Sequence, residues 1–318
     1  MWTRILGLTG ICRPVWAFFL TYCYFIFAFA VTDLDNIPSI SLGFFTMFFF
    51  YLGHFSLNAI YDKEFDKMNP RKDHLNSWND VSEIKSTFWI WSMIVVFWVI
   101  SISISLFHTL LFISILPLII VLAILLAICY SVPPLYVKGR APWDIIVNIC
   151  SFGILGPFFA LSSFSSEITL NFIEILLILL FSSSTLVIVI IPTILMDSEV
   201  DGYFGLNTFA VKYGKDQSLL LIKFSIILQV ISLSLIGIEF FMHYNFIGVF
   251  VIFTFLFGER MILSPLFDLQ LSNVKAGMVA TDLFFSFLVS SCGLFFFILI
   301  TRLTNFDLNS VIRSMLGL

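Results

Sequence analysis

From Phe88 to Phe107 the chain runs through twenty residues without one charged side chain. A helix of about 20 apolar residues is long enough to cross the hydrocarbon core of a bilayer. Runs of this kind recur along the whole chain of 318 residues: Pro14–Val31, Ile40–Leu57, Phe88–Phe107, Leu110–Cys129, Asp144–Phe164, Phe172–Leu195, Leu219–Ile238, Phe246–Phe257 and Val279–Ile300. The eighth is the shortest, and Glu259, Arg260 and Asp268 break the apolar character beyond its end. Their period is helical or uniformly apolar rather than alternating, and hydrocarbon admits only helices or closed barrels. With 60% hydrophobic and 11% charged residues, a soluble domain is excluded. The expected fold is an all-α integral membrane protein, a bundle of about nine transmembrane helices forming a single domain over residues 1–318.

No cleavable leader is expected, because a span-length segment follows Arg4 and Arg13 with no small-residue cleavage site. The cysteines (Cys12, Cys23, Cys129, Cys150, Cys292) lie in or beside apolar runs without metal-site spacing and read as small buried hydrophobes. No nucleic-acid partner is expected; the partner common to all these runs is the lipid bilayer.

The basic residues orient the chain. If the N-terminus is cytoplasmic, the inside segments hold Arg4, Arg13, Lys63, Lys67, Arg71, Lys72, Lys85, Lys138, Arg140, Lys212, Lys215, Lys223, Arg260 and Lys275, which is 14 of the 16 Lys and Arg. The outer C-terminal tail holds the other two, Arg302 and Arg313. The positive-inside rule then places the N-terminus and the longer, polar connections in the cytoplasm and the C-terminus on the opposite side.

Those polar connections carry the chemistry. NAIYDKEFD, at the end of the second run, sets Asn58, Asp62 and Asp66 at i, i+4 and i+8. On a helix they fall within about 80° of arc over about 12 Å. The sixth run ends in MDSEVDGYFGLNTFAVKYG, with Asp197 and Asp201 again four apart and Glu199 between. One such pair is also what a solvated helix end shows. A carboxylate at a helix C-terminus is nevertheless disfavoured by the macrodipole, and recurrence at two corresponding ends points to a shared task. Two carboxylate pairs make a hard oxygen site of the kind that suits Mg²⁺, which keeps several waters and takes the rest of its shell from carboxylates and phosphates. Lys63, Lys67, Arg71 and Lys72 after the first cluster, and Lys212 and Lys215 after the second, are placed to meet phosphate charge. Between the fourth and fifth runs, YSVPPLYVKGRAPWD stops the helix at Pro133–Pro134 and presents Lys138 on a stiff turn near Tyr130 and Tyr136.

These motifs together resemble the UbiA-type intramembrane prenyltransferases. NAIYDKEFD is similar to their N-x-x-x-D-x-x-x-D motif. DSEVDGYFGLNTFAVKYG is similar to their D-x-x-x-D motif followed by G-x-x-T and a closing glycine, here Gly205, Thr208 and Gly214. The resemblance spans essentially the whole chain. It implies a nine-helix bundle around a central cavity and Mg²⁺-dependent transfer of a polyprenyl group from its diphosphate to a lipophilic acceptor: a quinone or aromatic precursor, a glycerol-phosphate lipid, a tetrapyrrole or a carotenoid. It further implies that Asp62, Asp66, Asp197 and Asp201 hold two Mg²⁺, and that Asn58 joins the first ion or its water. Lys138, with Arg71, Lys72 and Tyr130, is then expected on diphosphate oxygens, and Arg13 stands where members often carry arginine. Two departures bear on acceptor and affinity: Gly202 follows the last aspartate where arginine is usual, and DHLNSWND replaces the usual ending after NPRK. NPRK, KGRAPWD and TFAV also resemble the carotenoid (lycopene elongase) branch, which is the alternative within the family.

The alternative of another class is a transporter that uses the acids for ion coupling. The acids cluster at span ends rather than at mid-membrane, which favours the enzyme. His54 and His108 read as packing residues, Ser182–Ser184 as a close helix contact, Pro117 and Pro192 as kinks, and Asp144 and Asn148 as candidates for lining the acceptor pocket.

Overall fold

The computed structural model describes residues 11–31, 36–68, 88–164 and 170–244, together with residue 282. The eighth and ninth expected spans, and Arg71 and Lys72, lie outside the described residues. What is described is helical: α1 (Pro14–Val31), α2 (Ile37–Met68), α3 (Phe88–Phe112), α4 (Leu116–Ser131), α5 (Trp143–Asn148), a π-helical segment (Ile149–Leu155), α6 (Gly156–Phe164), α7 (Phe172–Tyr203) and α8 (Phe209–Tyr244). The short α5, the π segment and α6 run on as one span, Trp143–Phe164. Five helical spans are long and apolar enough to cross a membrane, and α1 and α4 add two shorter apolar helices. The first seven expected spans therefore each find a helix.

The helices pack by small and polar contacts rather than by hydrophobicity alone, as hydrocarbon on both sides requires. α3 turns Ile90, Ile94, Ser101, Ser105 and His108 inward at helical spacing and leaves Val95, Val99 and Leu106 outward for lipid. The Ser101 hydroxyl donates to the Thr46 carbonyl on α2 at 2.8 Å. Gly153 lies so close to α7 that a Cβ there would stand 2.9 Å from the Ser183 Cα, so the serine run does serve close packing. One core gathers Phe25, Phe29, Phe50, Tyr51, Ile120 and Phe159 from α1, α2, α4 and α6. Another joins Ile145 to Val187, Ile191 and Leu195 of α7 and Ile222 of α8.

At the end of α2 away from its carboxylates, a polar knot ties four segments. Ser39 Oγ donates to the Ser163 carbonyl at 2.8 Å, so it accepts from His108 Nε2 at 2.7 Å. In the neutral ring, Nδ1 then accepts from the Ser114 hydroxyl at 2.7 Å.

Two local readings of the sequence are corrected or refined, and a helix cap is added to them. Pro117 does not kink a helix; it sits in the first turn of α4, where its missing N–H has no intrahelical partner to lose. Pro192 does lie inside α7. Glu174, inside the apolar run, closes a capping box at the start of α7: Asn171 Oδ1 accepts from the Ile173 and Glu174 N–H groups, and Glu174 Oε2 accepts from the Asn171 N–H at 2.7 Å.

Candidate active site

α2 stays helical through Met68, so Asn58, Asp62 and Asp66 share one stripe over its last turns. That stripe faces inward. Asp62 is 3% and Asp66 6% exposed, whereas Glu64 on the other side is exposed. Buried carboxylates at a helix C-terminus are unfavourable twice over, by desolvation and by the macrodipole, unless cations meet them. Two do. Lys138 Nζ lies 2.5 Å from Asp62 Oδ2, and Arg13 Nη2 lies 3.8 Å from Asp66 Oδ2. From α4, the Ser131 hydroxyl donates to Asn58 Oδ1 at 3.4 Å. Asp62 Oδ1 is buried with no hydrogen-bond partner among the described residues.

α7 likewise stays helical through Tyr203 and carries Asp197, half-buried, and Asp201, 6% exposed. The Leu206 N–H donates to the Asp201 carbonyl at 2.9 Å, and the turn is closed by Gly205 at φ 73°, a backbone state that costs a side-chain-bearing residue energy. The ends of α2 and α7 adjoin: the Phe65 and Phe204 rings meet edge-on with centroids 4.4 Å apart. Met68 with Glu199, Val200 and Tyr203 lines a cavity of about 150 Å³ between them.

The connection between α4 and α5 joins the two acidic ends. Lys138 rides on a single 3₁₀ turn, Val137–Gly139. Just after it the backbone pairs with the α7–α8 turn: Ala141 N–H donates to the Asn207 carbonyl at 2.7 Å, and Asn207 N–H donates to the Gly139 carbonyl at 3.0 Å. Lys212 Nζ adds a bond to the Ala141 carbonyl at 3.3 Å. Asp144 completes the latch. It does not stand free to line a pocket, because its Oδ2 accepts from the Phe209 N–H at 2.7 Å and caps α8.

Burial of the Lys138 ammonium works against its charge, but the Asp62 carboxylate together with Tyr130 and Tyr136 outweighs burial and raises its pKa above the ordinary lysine range. Burial pushes the Tyr136 phenol up to about 12, with Lys138 opposing and Asp62 and Asp201 both adding to the rise. Tyr136 thus stands within electrostatic reach of both acidic ends. Tyr130 lies near Lys138, Asp62 and Asn148.

The donor set suits a small hard dication, with one Asp62 oxygen buried and unpartnered among the described residues. No three His, Cys, Asp or Glu side chains among the described residues converge into a ready-made metal cluster. A pair of carboxylates completed by water and phosphate oxygens meets the needs of Mg²⁺. Sequence reasoning missed Tyr136 as a site residue and the Asp144–Phe209 cap. The proximity of KGRAPWD to GLNTF is tertiary and has no sequence signal.

Among curated proteins, none matches the chain by sequence. Solved structures share its fold. A UbiA homolog from Archaeoglobus fulgidus bound to DMAPP and Mg²⁺ is 20% identical, with a TM-score of 0.65 over 91% of this chain and 99% of that one. The apo structure of a UbiA homolog from Aeropyrum pernix K1 is 15% identical, with a TM-score of 0.65 over 92% of this chain and 98% of that one. A structure of digeranylgeranylglyceryl phosphate synthase is 18% identical, with a TM-score of 0.59 over 91% and 98%. The model of the UbiA prenyltransferase family matches residues 17–288, and on that match the chain belongs to the UbiA prenyltransferase family.

Proposed function

We propose that this integral membrane enzyme transfers a polyprenyl group from its diphosphate to a lipophilic acceptor, with Mg²⁺ as cofactor and the reaction held at the ends of α2 and α7. The observation that carries the proposal is the meeting of those two ends, each with buried acid, under one turn that presents Lys138. Asp62 and Asp66, with Asn58, would hold one Mg²⁺, and Asp197 and Asp201 a second. When bound, the ions supply positive charge to the departing diphosphate.

The chain's own groups do the rest. Lys138, with Arg13, Arg71 and Lys72, neutralises diphosphate oxygens as the bond from C1 of the prenyl group to oxygen breaks. The neutral phenols of Tyr130 and Tyr136 can donate to the same oxygens. The allylic cation left behind needs a dry surrounding with π-faces, and the aromatic side chains packed in the bundle core on the Asn58 helix, such as Phe50 and Tyr51, are of the kind that would supply them. Structures of relatives bound to DMAPP or GPP with Mg²⁺ support the donor class. The asymmetry of Lys and Arg supports a cytoplasmic N-terminus and active site. Ion coupling by the acids, the transporter reading, finds no such support.

The experiment uses the full chain in lipid nanodiscs with geranylgeranyl or farnesyl diphosphate. Diphosphate release should require Mg²⁺ and stop on addition of EDTA. Release that ignores EDTA, or no release from either donor, would overturn the proposal.

A further inference from the structure

The first carboxylate pair is already neutralised by the chain itself. Lys138 closes on Asp62 Oδ2 and Arg13 faces Asp66 Oδ2, so the formal charges of the four side chains cancel. A bare dication approaching this end meets two occupied ion pairs. To bind, it must push two resident cations aside and then sit beside them. A diphosphate changes that balance, because it brings anionic oxygens to which both cations can transfer.

We propose that Lys138 is the resident counter-ion of Asp62 and changes partner when substrate enters, so that the site takes the dication only together with a diphosphate. This rests on the diphosphate reading given above. The geometry permits the exchange without moving the backbone. Lys138 sits on a turn pinned by the Gly139–Asn207 and Ala141–Asn207 bonds, while its side chain is a flexible four-carbon stem, 18% exposed. The same pairing holds the turn beside the residues that follow Asp201. Asp62 Oδ1, buried and without a hydrogen-bond partner among the described residues, is the oxygen placed to meet an ion, and release of Oδ2 would make the carboxylate fully available. No covalent bond changes in the exchange.

Binding of Mn²⁺, followed by its paramagnetic resonance signal on the full chain in nanodiscs, tests this without catalysis. Inorganic pyrophosphate should tighten Mn²⁺ binding at least about tenfold beyond their association in solution, and linkage requires Mn²⁺ to tighten pyrophosphate binding by the same factor. Lys138→Met should bind Mn²⁺ alone roughly tenfold more tightly than the wild type and lose most of that coupling. Lys138→Gln carries the same expectation, and Lys138→Arg should keep the weak binding of the wild type; a melting curve for each variant reports folding. The exchange is overturned if the wild type binds Mn²⁺ equally well with and without pyrophosphate, or if folded Lys138→Met gains no affinity for Mn²⁺ alone while pyrophosphate still binds. Should the wild type bind no pyrophosphate at any Mn²⁺ concentration, the diphosphate reading itself fails, which is a different result.

Discussion

Asp144→Ala probes the latch that holds the two acidic ends in register. Asp144 is 2% exposed, and its Oδ2 accepts from the first N–H of α8, that of Phe209, at 2.7 Å. α8 has no acid in its own first turn, so the cap comes from 65 residues away. A helix cap contributes about 1 kcal/mol and a hydrogen bond to a charged acceptor about 1.5–3 kcal/mol; these describe the same contact and do not add. Part of that is returned on truncation, because Asp144 Oδ1 is buried without a partner among the described residues and its desolvation is relieved. The net loss should be about 1–2 kcal/mol, or roughly 2–6 °C in Tm. Asp144→Asn keeps an oxygen acceptor and should lose about half as much. Function should suffer more than stability. Asn207 and Thr208 sit directly before Phe209, and Asn207 pairs with the turn carrying Lys138. Loosening that turn misplaces the ammonium, and diphosphate release should fall roughly tenfold or more. Thermal unfolding in nanodiscs and a diphosphate-release assay measure both. An Asp144→Ala protein with wild-type Tm and wild-type release would refute the latch.

Asp62→Asn and Asp201→Asn should each lower Mg²⁺-dependent diphosphate release by about 10²-fold or more, read in the same assay, because each would take a charged oxygen from the proposed Mg²⁺ sites while keeping the side chain's shape. Tyr136, raised to about 12 mainly by burial, should stay a neutral donor through the neutral and mildly alkaline range. Ionising it costs more in the folded chain than in the unfolded one, so its share of stability is present below about pH 10 and is lost as pH rises towards 12. Ultraviolet difference titration against Tyr136→Phe should show one phenolate transition missing near the upper limit. His108→Ala removes the ring that bridges Ser39 and Ser114 at the far end of the bundle, and should cost about 2–4 kcal/mol in thermal unfolding. Its affinity for pyrophosphate with Mn²⁺, measured by titration calorimetry, should stay at the wild-type value because the knot is remote from the carboxylates.

Much of the fold could be read along the chain, because in hydrocarbon a run of apolar residues has almost no alternative to a helix. The seven described spans appear where the apolar runs lie, with ends that moved. The second apolar run ends at Leu57, yet α2 continues to Met68, since acid and lysine at helical spacing prolong a helix beyond the hydrophobic stretch that defines a span. The inward direction of Asp62 and Asp66 could be foreseen from their shared stripe. Their partners could not. Lys138 pairs with Asp62, 76 residues away in sequence, which no local pattern announces. Asp144, expected to line a pocket, instead caps α8, a choice made by the approach of two turns.

The sequence alone determined the helical class, the positions of the seven described spans and the pairing of acids on single helices, because each follows from local periodicity and from the cost of exposing backbone to lipid. Tertiary structure alone decided which helix ends adjoin, which cation neutralises which aspartate and how the α4–α5 turn is pinned to the α7–α8 turn. Those are contacts between groups far apart along the chain. Their energies depend on desolvation and distance, which no reading of neighbouring residues contains.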